Sequence, residues 1–247
     1  TVTVGWAEMD VGSPDGDDEA MLAGVGSTTS SAIATFERNT AVSPYSSDVL
    51  TMAVARRGLD PLFVAHWERN AADADRTNFY VSRFDGGVRT DLGGNLASDY
   101  DSNNLGRPSI VVTDRDVYAA IDVTTGGEQE VYVFRHDGAS WSVLGGSHVR
   151  AFKTFHAWSR APDLVMAGDT LYLAWEEASD YIGPLVFIAR WDAAGGAWVI
   201  DGEIVPQLGS SVIDPDLAYS AGDGRLYCAY TELIGGIYSL LVAQRGL

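Results

Sequence analysis

The sequence predicts an all-β fold, a β-propeller of about five blades with three to four antiparallel strands in each. The first observation behind this prediction is a seven-residue motif that recurs five times at nearly regular spacing. The second is a fixed order of β-prone segments around each copy of the motif. One such unit has the size and content of a four-stranded blade. We therefore expect residues 1–247 to form a single propeller domain.

The motif is clearest at residues 171–177, which have the sequence LYLAWEE. Four further copies occur at 2–8, 62–68, 226–232 and, in a weaker form, 117–123. Their second positions are residues 3, 63, 118, 172 and 227, which lie 60, 55, 54 and 55 residues apart. Each copy is apolar on both faces, as expected for a strand buried between two neighbouring blades.

The remaining strands of each unit follow in a constant order. A Pro-x-apolar segment precedes the motif, and a β-prone run, a tight turn and a short strand carrying Trp141 or Trp198 follow it. The regular repeat of 54–60 residues favours a propeller over a β-sandwich of many short strands, and a section of a longer propeller remains the alternative. The predicted blades are residues 1–42, 43–106, 107–160, 161–213 and 214–247.

Charge and cysteine content limit the function classes. The 34 acidic residues against 16 basic ones give a formal charge of −18, which repels phosphate backbones and disfavours nucleic acid. Cations, basic protein surfaces and neutral sugars are suitable partners, and a solvated acidic surface is the alternative interpretation. No apolar run approaches the roughly 18 residues of a membrane span. Cys228 is the only cysteine and is expected to be a buried thiol.

One unit resembles a known family. Residues 107–120 and 131–146, with the stretch YVFRHDGASWSVLGG, are similar to the repeats of sialidase-like bacterial β-propeller proteins. Sialidases carry the Asp-box Ser-x-Asp-x-Gly-x-x-Trp, whereas Asp137 is followed directly by Gly138 here, so the box is incomplete. The resemblance implies a propeller that is secreted, periplasmic or on the cell surface, and it implies little about activity.

The connections predict which face is functional. Long loops at 9–19, 69–76, 93–106, 147–160 and 203–213 follow the second and fourth strands, which end on one face of a propeller. Long loops in a compact domain tend to carry function. An acidic residue follows the second strand of each unit on that face: Glu8, Glu68, Glu177 and Glu232, with Asp122 in the weak copy. These carboxylates could bind a cation or sugar hydroxyl groups. We prefer the alternative that they cap loop amides, because a feature repeated in every unit usually belongs to the scaffold.

Two further features lie on the same face. Asp99, Asp101 and Asn103 have the alternate oxygen spacing of a calcium loop but lack its later Gly and Glu, so ordinary turn residues are the alternative. The segment 149–160 combines cationic and aromatic side chains, which suit a protein or glycan partner unless the aromatics cover the blade edge. Its candidate contact residues are Arg150, Phe152, Lys153, Phe155, His156, Trp158 and Arg160.

These features predict a non-catalytic, extracytoplasmic propeller whose long-loop face binds a protein partner, as an interaction module or scaffold, or a carbohydrate. The alternative is a glycoside hydrolase that uses carboxylates of the central funnel. The four histidines show no metal-ligand spacing, and neither a nucleophile-elbow nor a phosphate-binding motif occurs. The sequence establishes no cofactor, and calcium is the candidate that the loop around Asp99 offers.

Overall fold

The computed structural model describes most of the chain, with side chains described from Thr51 onward except at 68–70 and 73–76. The described residues contain no helix and form eighteen strands in five antiparallel sheets. Their backbone ranges are 2–8, 19–25, 36–41, 49–56, 61–70, 73–85, 88–98, 100, 106–152, 158–179, 182–207 and 211–247.

Every sheet is a meander in which strands pair in chain order. The first sheet contains β1 (Val2–Glu8), β2 (Glu19–Val25) and β3 (Phe36–Ala41). The second contains β4 (Val49–Arg56), β5 (Leu62–Asn70), β6 (Asp73–Asp85) and β7 (Val88–Asp91). The third contains β8 (Ser109–Val112), β9 (Val117–Thr125), β10 (Glu128–His136) and β11 (Trp141–Val143). The fourth contains β12 (Trp158–Ala167), β13 (Thr170–Ser179), β14 (Ile182–Asp192) and β15 (Ala197–Ile204), and the fifth contains β16 (Val212–Ser220), β17 (Arg225–Ile234) and β18 (Ile237–Gly246).

Several of the predicted loops are wrong in extent. The segment 203–213 overlaps β15, which runs to Ile204, and β16, which begins at Val212. The segment 69–76 is a hairpin, because pairing of Arg69 with Thr77 carries β5 to Asn70 and β6 begins at Asp73. The segment 149–160 ends inside a strand, because β12 begins at Trp158. Trp158 to Arg160 pair with β13 ahead of a register shift between Arg160 and Asp163.

The second, third and fourth sheets each have a neighbouring sheet on both sides, and we call them the interior sheets because both of their faces are buried. Residues at the even positions of the motif point towards the next sheet in the chain, which we call the forward face, and the odd positions form the rear face. The forward face of the third sheet, with Ala120, Val131 and Val133, packs on Leu173 and Trp175 of the fourth. Burying a large apolar side chain stabilises the fold by about 1.5–3 kcal/mol, so these intersheet layers hold the molecule together.

Tryptophans on the fourth, outermost strand of a sheet contact the neighbouring sheet at the outer rim of the molecule. Trp141 of β11 lies against Gly93, which follows the second sheet, and its indole nitrogen donates to the Leu92 carbonyl. Trp198 of β15 likewise lies against Gly145. Both glycines have positive φ, at 87° and 88°, and a β-carbon at Gly93 would approach Trp141 to 3.1 Å. Only glycine allows both this backbone conformation and this approach.

The first strands of successive sheets lie side by side around a common axis, and polar contacts connect them. The Ser109 hydroxyl of β8 donates to Asp163 Oδ1 of β12 at 2.8 Å and accepts the Leu164 amide at 2.9 Å. The Leu217 amide of β16 donates to Asp163 Oδ2 at 2.5 Å. One carboxylate therefore connects the third, fourth and fifth sheets.

Candidate functional site at the axis

A cluster of polar and aromatic side chains lies where the first strands begin. It occupies the face on which the segments that follow the fourth strands end, which is the face that the sequence predicted to be functional. We call this cluster the axial site and define it by Arg107, Trp158, Arg160, Glu176, Asp214 and Asp216.

Arg160 and Glu176 form the inner pair of the axial site. The Arg160 guanidinium donates from Nε and from one terminal nitrogen to Glu176 Oε1, at 3.0 and 2.8 Å. Glu176 is fully buried, and burial raises the pKa of its carboxyl, although the hydrogen bond from Arg160 opposes that shift. The Arg160 guanidinium carbon lies 4.5 Å from the centre of the Trp158 ring. This cation–π contact orients a tryptophan that remains partly exposed at the mouth of the axis.

The residues 214–216 join this pair to a second arginine. A terminal nitrogen of Arg107 donates to the Pro215 carbonyl at 3.2 Å and lies 3.9 Å from an Asp216 carboxylate oxygen. A hydrogen bond from the backbone amide of Asp214 also lowers the pKa of the Glu176 carboxyl, while the charge of the Asp214 carboxylate raises it. Arg107 precedes β8 and reaches β16 past β12, so the third, fourth and fifth sheets all contribute to the axial site.

The backbone at the site is strained. Asp214 has φ of 52°, and Ala161, at the same position of the fourth sheet, has φ of 49°. Each of these residues precedes a proline at a register shift. For a residue with a β-carbon, a positive φ costs about 1–2 kcal/mol. Strain of this kind concentrates at functional sites.

Asp163 lies further along β12 from the axial site, and its carboxyl has a raised pKa. Burial raises the pKa of its carboxyl to about 6, against the opposing hydrogen bonds from the Leu217 amide and Ser109. Asp216 occupies the same position in the fifth sheet and is exposed. Two aspartates at one repeat position therefore have very different surroundings.

The predicted acidic residues after the second strands serve as loop anchors where they are described. Glu177 is fully buried and accepts the Ala151 and Phe152 amides at 2.8 and 2.5 Å, and the Trp175 indole nitrogen at 2.7 Å. Glu232, also fully buried, accepts the Gln207 amide at 2.9 Å.

Asp122 is buried in the same region and lies so close to Gly106 that no β-carbon would fit there. It also accepts a hydrogen bond from Gln129 at 2.8 Å. The hydrogen bonds of Glu177 and Glu232 to loop amides match the capping interpretation, whereas Asp122 bonds to a side chain of β10. The side chains of Glu8 and Glu68 lie outside the described residues.

The segment 149–160 divides between the fold and the axial site. Arg150 pairs with Glu128 at 3.0 Å and with Glu130 at 3.1 Å, and Phe152 packs edge-on against Phe187. Trp158 and Arg160 belong to the axial site. Lys153, Phe155 and His156 lie outside the described residues.

The residues of the predicted calcium loop, Asp99, Asp101 and Asn103, lie outside the described residues. Within the part of the chain that the structure describes, no group of three or more His, Cys, Asp or Glu side chains is arranged to hold a metal ion. That part also contains no helix capable of crossing a lipid bilayer.

The opposite face has a shallow depression of about 720 Å³ between the third and fourth sheets. Its carboxylate at Asp116 already accepts hydrogen bonds from Arg135 at 3.1 Å and from Tyr118 at 3.2 Å. These groups satisfy one another, and we therefore place the candidate site at the axis.

Sequence reasoning did not identify Arg107, Glu176, Asp214 or Asp216. A signal was present in the repeated Pro-x-apolar segment, whose prolines at 108, 162 and 215 mark the first strands. Most of the residues that flank these prolines are polar and line the axis, and this position follows once the segment is assigned to the innermost strand: Arg107, Ser109, Asp163, Asp214 and Asp216.

No family model and no curated protein sequence matches the chain. Solved structures do match it. BT0996 in its complex with RGII is 9% identical with a TM-score of 0.53, and the match covers 94% of this protein and 79% of that one. Levansucrase from Bacillus subtilis is 11% identical with a TM-score of 0.50, over 81% and 69% of the two proteins. An α-L-arabinofuranosidase from Clostridium thermocellum is 13% identical with a TM-score of 0.49, over 81% and 69%.

The chain is a β-propeller. The five sheets among its described residues are consistent with the predicted five blades. At these identities the similarity concerns the fold alone, and no match confirms the sialidase-like repeat. The axial site of the propeller must therefore be interpreted from its own chemistry.

Proposed function

We propose that this propeller is a non-catalytic, extracytoplasmic module that binds carbohydrate at the axial site. The observation that carries the proposal is Trp158, a partly exposed aromatic ring that Arg160 orients, on the face where Arg107 and two exposed aspartates, Asp214 and Asp216, also lie. Binding sites for small ligands combine an apolar or aromatic surface with a few fixed polar groups. A sugar ring offers an apolar face to an indole and hydroxyl groups to carboxylates and guanidinium groups, so it matches both components.

The charges at the axial site favour a neutral sugar. Arg107 and Arg160 pair with the carboxylates of Asp216 and Glu176, the Asp214 carboxylate adds a third negative charge near Glu176, and the chain has a formal charge of −18. An anionic ligand would have to overcome this field. Hydroxyl groups can bind either sign of charge without that penalty.

Glycoside hydrolysis is the second candidate, and one observation favours it. Catalytic acid and base residues need dissimilar surroundings to separate their pKa values. Glu176 is fully buried beside Arg160, whereas Asp214 and Asp216 are exposed, so the axial site contains carboxylates of both kinds. Catalysis would require these groups to flank one glycosidic bond.

The decisive experiment compares binding and turnover on the same proteins. Wild type and Trp158→Ala would be tested on a glycan array, by calorimetry on any sugar that binds, and on a panel of chromogenic glycosides. Loss of a large aromatic contact costs on the order of 2 kcal/mol or more, so Trp158→Ala should weaken binding at least tenfold. Trp198→Ala is the matched control, because Trp198 is a partly buried tryptophan at the rim.

The outcomes separate the candidates. Binding without turnover that depends on Trp158 supports the proposal, and turnover that is lost in Asp216→Asn supports the hydrolase. Absence of both, or sugar binding unchanged in Trp158→Ala, contradicts the proposal and favours a role in binding protein partners. Thermal unfolding of each variant shows whether its fold is retained.

A further inference from the structure

The fifth sheet has a free outer edge along β18. This strand corresponds to β6, β10 and β14, each of which pairs with a further strand on its outer side. Within the described part of the chain no strand pairs with the outer side of β18, which runs for ten residues from Ile237 to Gly246. A strand edge of this length presents backbone donors and acceptors to which another strand can add.

The register of the repeat indicates which residue an added strand would place beside Arg245. Arg245 occupies the repeat position of His136 in the third sheet and of Trp191 in the fourth. The fourth strands of those two sheets pair a tryptophan with that position, Trp141 with His136 and Trp198 with Trp191. An added strand in the same register would therefore have an aromatic residue opposite Arg245.

The rim of the fourth sheet keeps the polar half of the tryptophan contact. The indole nitrogen of Trp141 donates to the Leu92 carbonyl, one residue before the rim glycine. Arg245 donates to the Asp201 carbonyl, one residue before Gly202, and pairs with the Asp201 carboxylate at 3.0 Å. The group nearest to a β-carbon at Gly202 would be this guanidinium, at 3.8 Å, and not an indole. The carbonyl is thus satisfied, while the place of the ring is free.

A pocket of about 160 Å³ lies at this place, between the fourth and fifth sheets beside Gly202 and Arg245. Apolar side chains of both sheets line it: Ile188, Ile204, Leu226, Cys228 and Ala243. An apolar cavity of about 150 Å³ binds benzene, so the pocket has room for one aromatic side chain. The half-exposed Arg245 can stack on the face of such a ring.

We propose that the outer edge of β18 binds an extended segment of a partner protein as a fourth strand, and that an aromatic residue of the segment, opposite Arg245, fills this pocket. The added strand runs antiparallel to β18, as the fourth strands of the second, third and fourth sheets run to their neighbours. Main-chain hydrogen bonds supply the affinity of such a contact, and the side-chain pocket supplies its specificity.

The charge of the protein limits the partner further. With a formal charge of −18, the chain favours a neutral or basic segment over an acidic one. The contact uses the outer edge and the rear face of the fifth sheet, and it does not depend on the function of the axial site.

A peptide with the sequence of one of the chain's own fourth strands tests the proposal. Residues 139–146, ASWSVLGG, contain Trp141 and no charged side chain. Binding of this peptide, labelled with a fluorophore, to the full chain would be measured by fluorescence polarisation. The same peptide with Trp141→Ala should bind at least tenfold more weakly, because it lacks the aromatic anchor.

Variants of the protein locate the peptide. Ala243→Phe fills the pocket and should weaken peptide binding at least tenfold, whereas the matched control Ala243→Ser leaves the pocket open and should bind as the wild type does. Trp158→Ala should also leave peptide binding unchanged, which separates this contact from the axial site. Melting temperatures show whether each variant is folded, and the comparison of the two peptides on the wild type does not depend on any variant. Hydrogen exchange of the β18 amides should slow when the peptide binds.

Several results would overturn the proposal. These are equal binding of the two peptides, unchanged binding to a folded Ala243→Phe, and no binding at peptide concentrations up to about 1 mM. Binding without protection of the β18 amides would show that the pocket takes an aromatic group without strand addition. A dimer of the protein that the peptide does not dissociate would show that a second copy covers the edge.

Discussion

Asp163→Asn should make this propeller more stable at neutral pH than the wild type and should leave it nearly unchanged in acid. Burial raises the pKa of the Asp163 carboxyl to about 6, from an ordinary value of 3.8. Asparagine can retain the local contacts, because its oxygen can accept the Leu217 amide and its nitrogen can donate to Ser109. The substitution therefore imitates the protonated aspartic acid.

The sign follows from proton binding. Between pH 3.8 and 6 the folded protein retains a proton that the unfolded chain has lost, so the free energy of unfolding falls as the pH rises through this window. The whole effect of such a pKa difference is about 3 kcal/mol. Of this, about 2 kcal/mol is lost between pH 4.5 and 7.5, which corresponds to about 4–8 °C in melting temperature for a domain of this size.

The assay measures the melting temperatures of wild type and Asp163→Asn at several pH values between 4.5 and 7.5. The advantage of the variant should grow by about 4–8 °C over that range. Asp216→Asn is the matched control, because Asp216 occupies the same repeat position but is exposed. A difference between wild type and Asp163→Asn that is independent of pH, or that shrinks as the pH rises, would refute the reasoning.

Three further substitutions test individual contacts. Gly106→Ala should lower the melting temperature by about 4 °C or more, because the added methyl group meets the Asp122 carboxylate. Glu177→Gln should cost about 1–3 kcal/mol in denaturant unfolding, because two loop amides lose a charged acceptor. Arg160→Ala should destabilise the fold at pH 7 by about 2–3 kcal/mol, because it leaves Glu176 buried without its partner. The double variant Arg160→Ala with Glu176→Gln should recover part of that loss in the same denaturant assay.

The sequence was sufficient for the fold because the same physical demand recurs in every unit. A strand between two neighbouring sheets must be apolar on both faces, and the motif at 171–177 meets that demand at every position from Leu171 to Trp175. The strand order within each unit is confirmed. The division into five blades within one domain of 247 residues remains a prediction.

Strand ends were harder to predict than strands. Trp158 to Arg160 combine aromatic and charged residues, and the sequence alone gives no reason for them to pair with β13. Pairing continues there because a register shift before Asp163 absorbs Ala161 and Pro162. A bulge of this kind depends on backbone conformations that single residues do not specify.

The axial site shows the limit of local patterns more clearly. Glu177 and Glu232 stood out because they recur, and recurrence marks a part of the scaffold; both anchor loop amides. Arg107, Asp214 and Asp216 do not form a motif, and they meet because their strands surround one axis. Arg107 and the Pro215 that it contacts are 108 residues apart in the chain. Such proximity follows from topology and cannot be derived from spacing.

The rim contacts have a consequence for how such a chain can change in length. Trp141 contacts the glycine that follows the preceding blade, and Trp198 contacts Gly145, which follows the blade of Trp141 itself. The third unit therefore carries one half of the contact with the blade before it, Trp141, and one half of the contact with the blade after it, Gly145. Duplication or deletion of a whole unit would restore matching halves at the new junction, whereas a change of half a unit would separate them. This arrangement makes the unit of about 55 residues the step in which the gene can grow or shrink without a new interface.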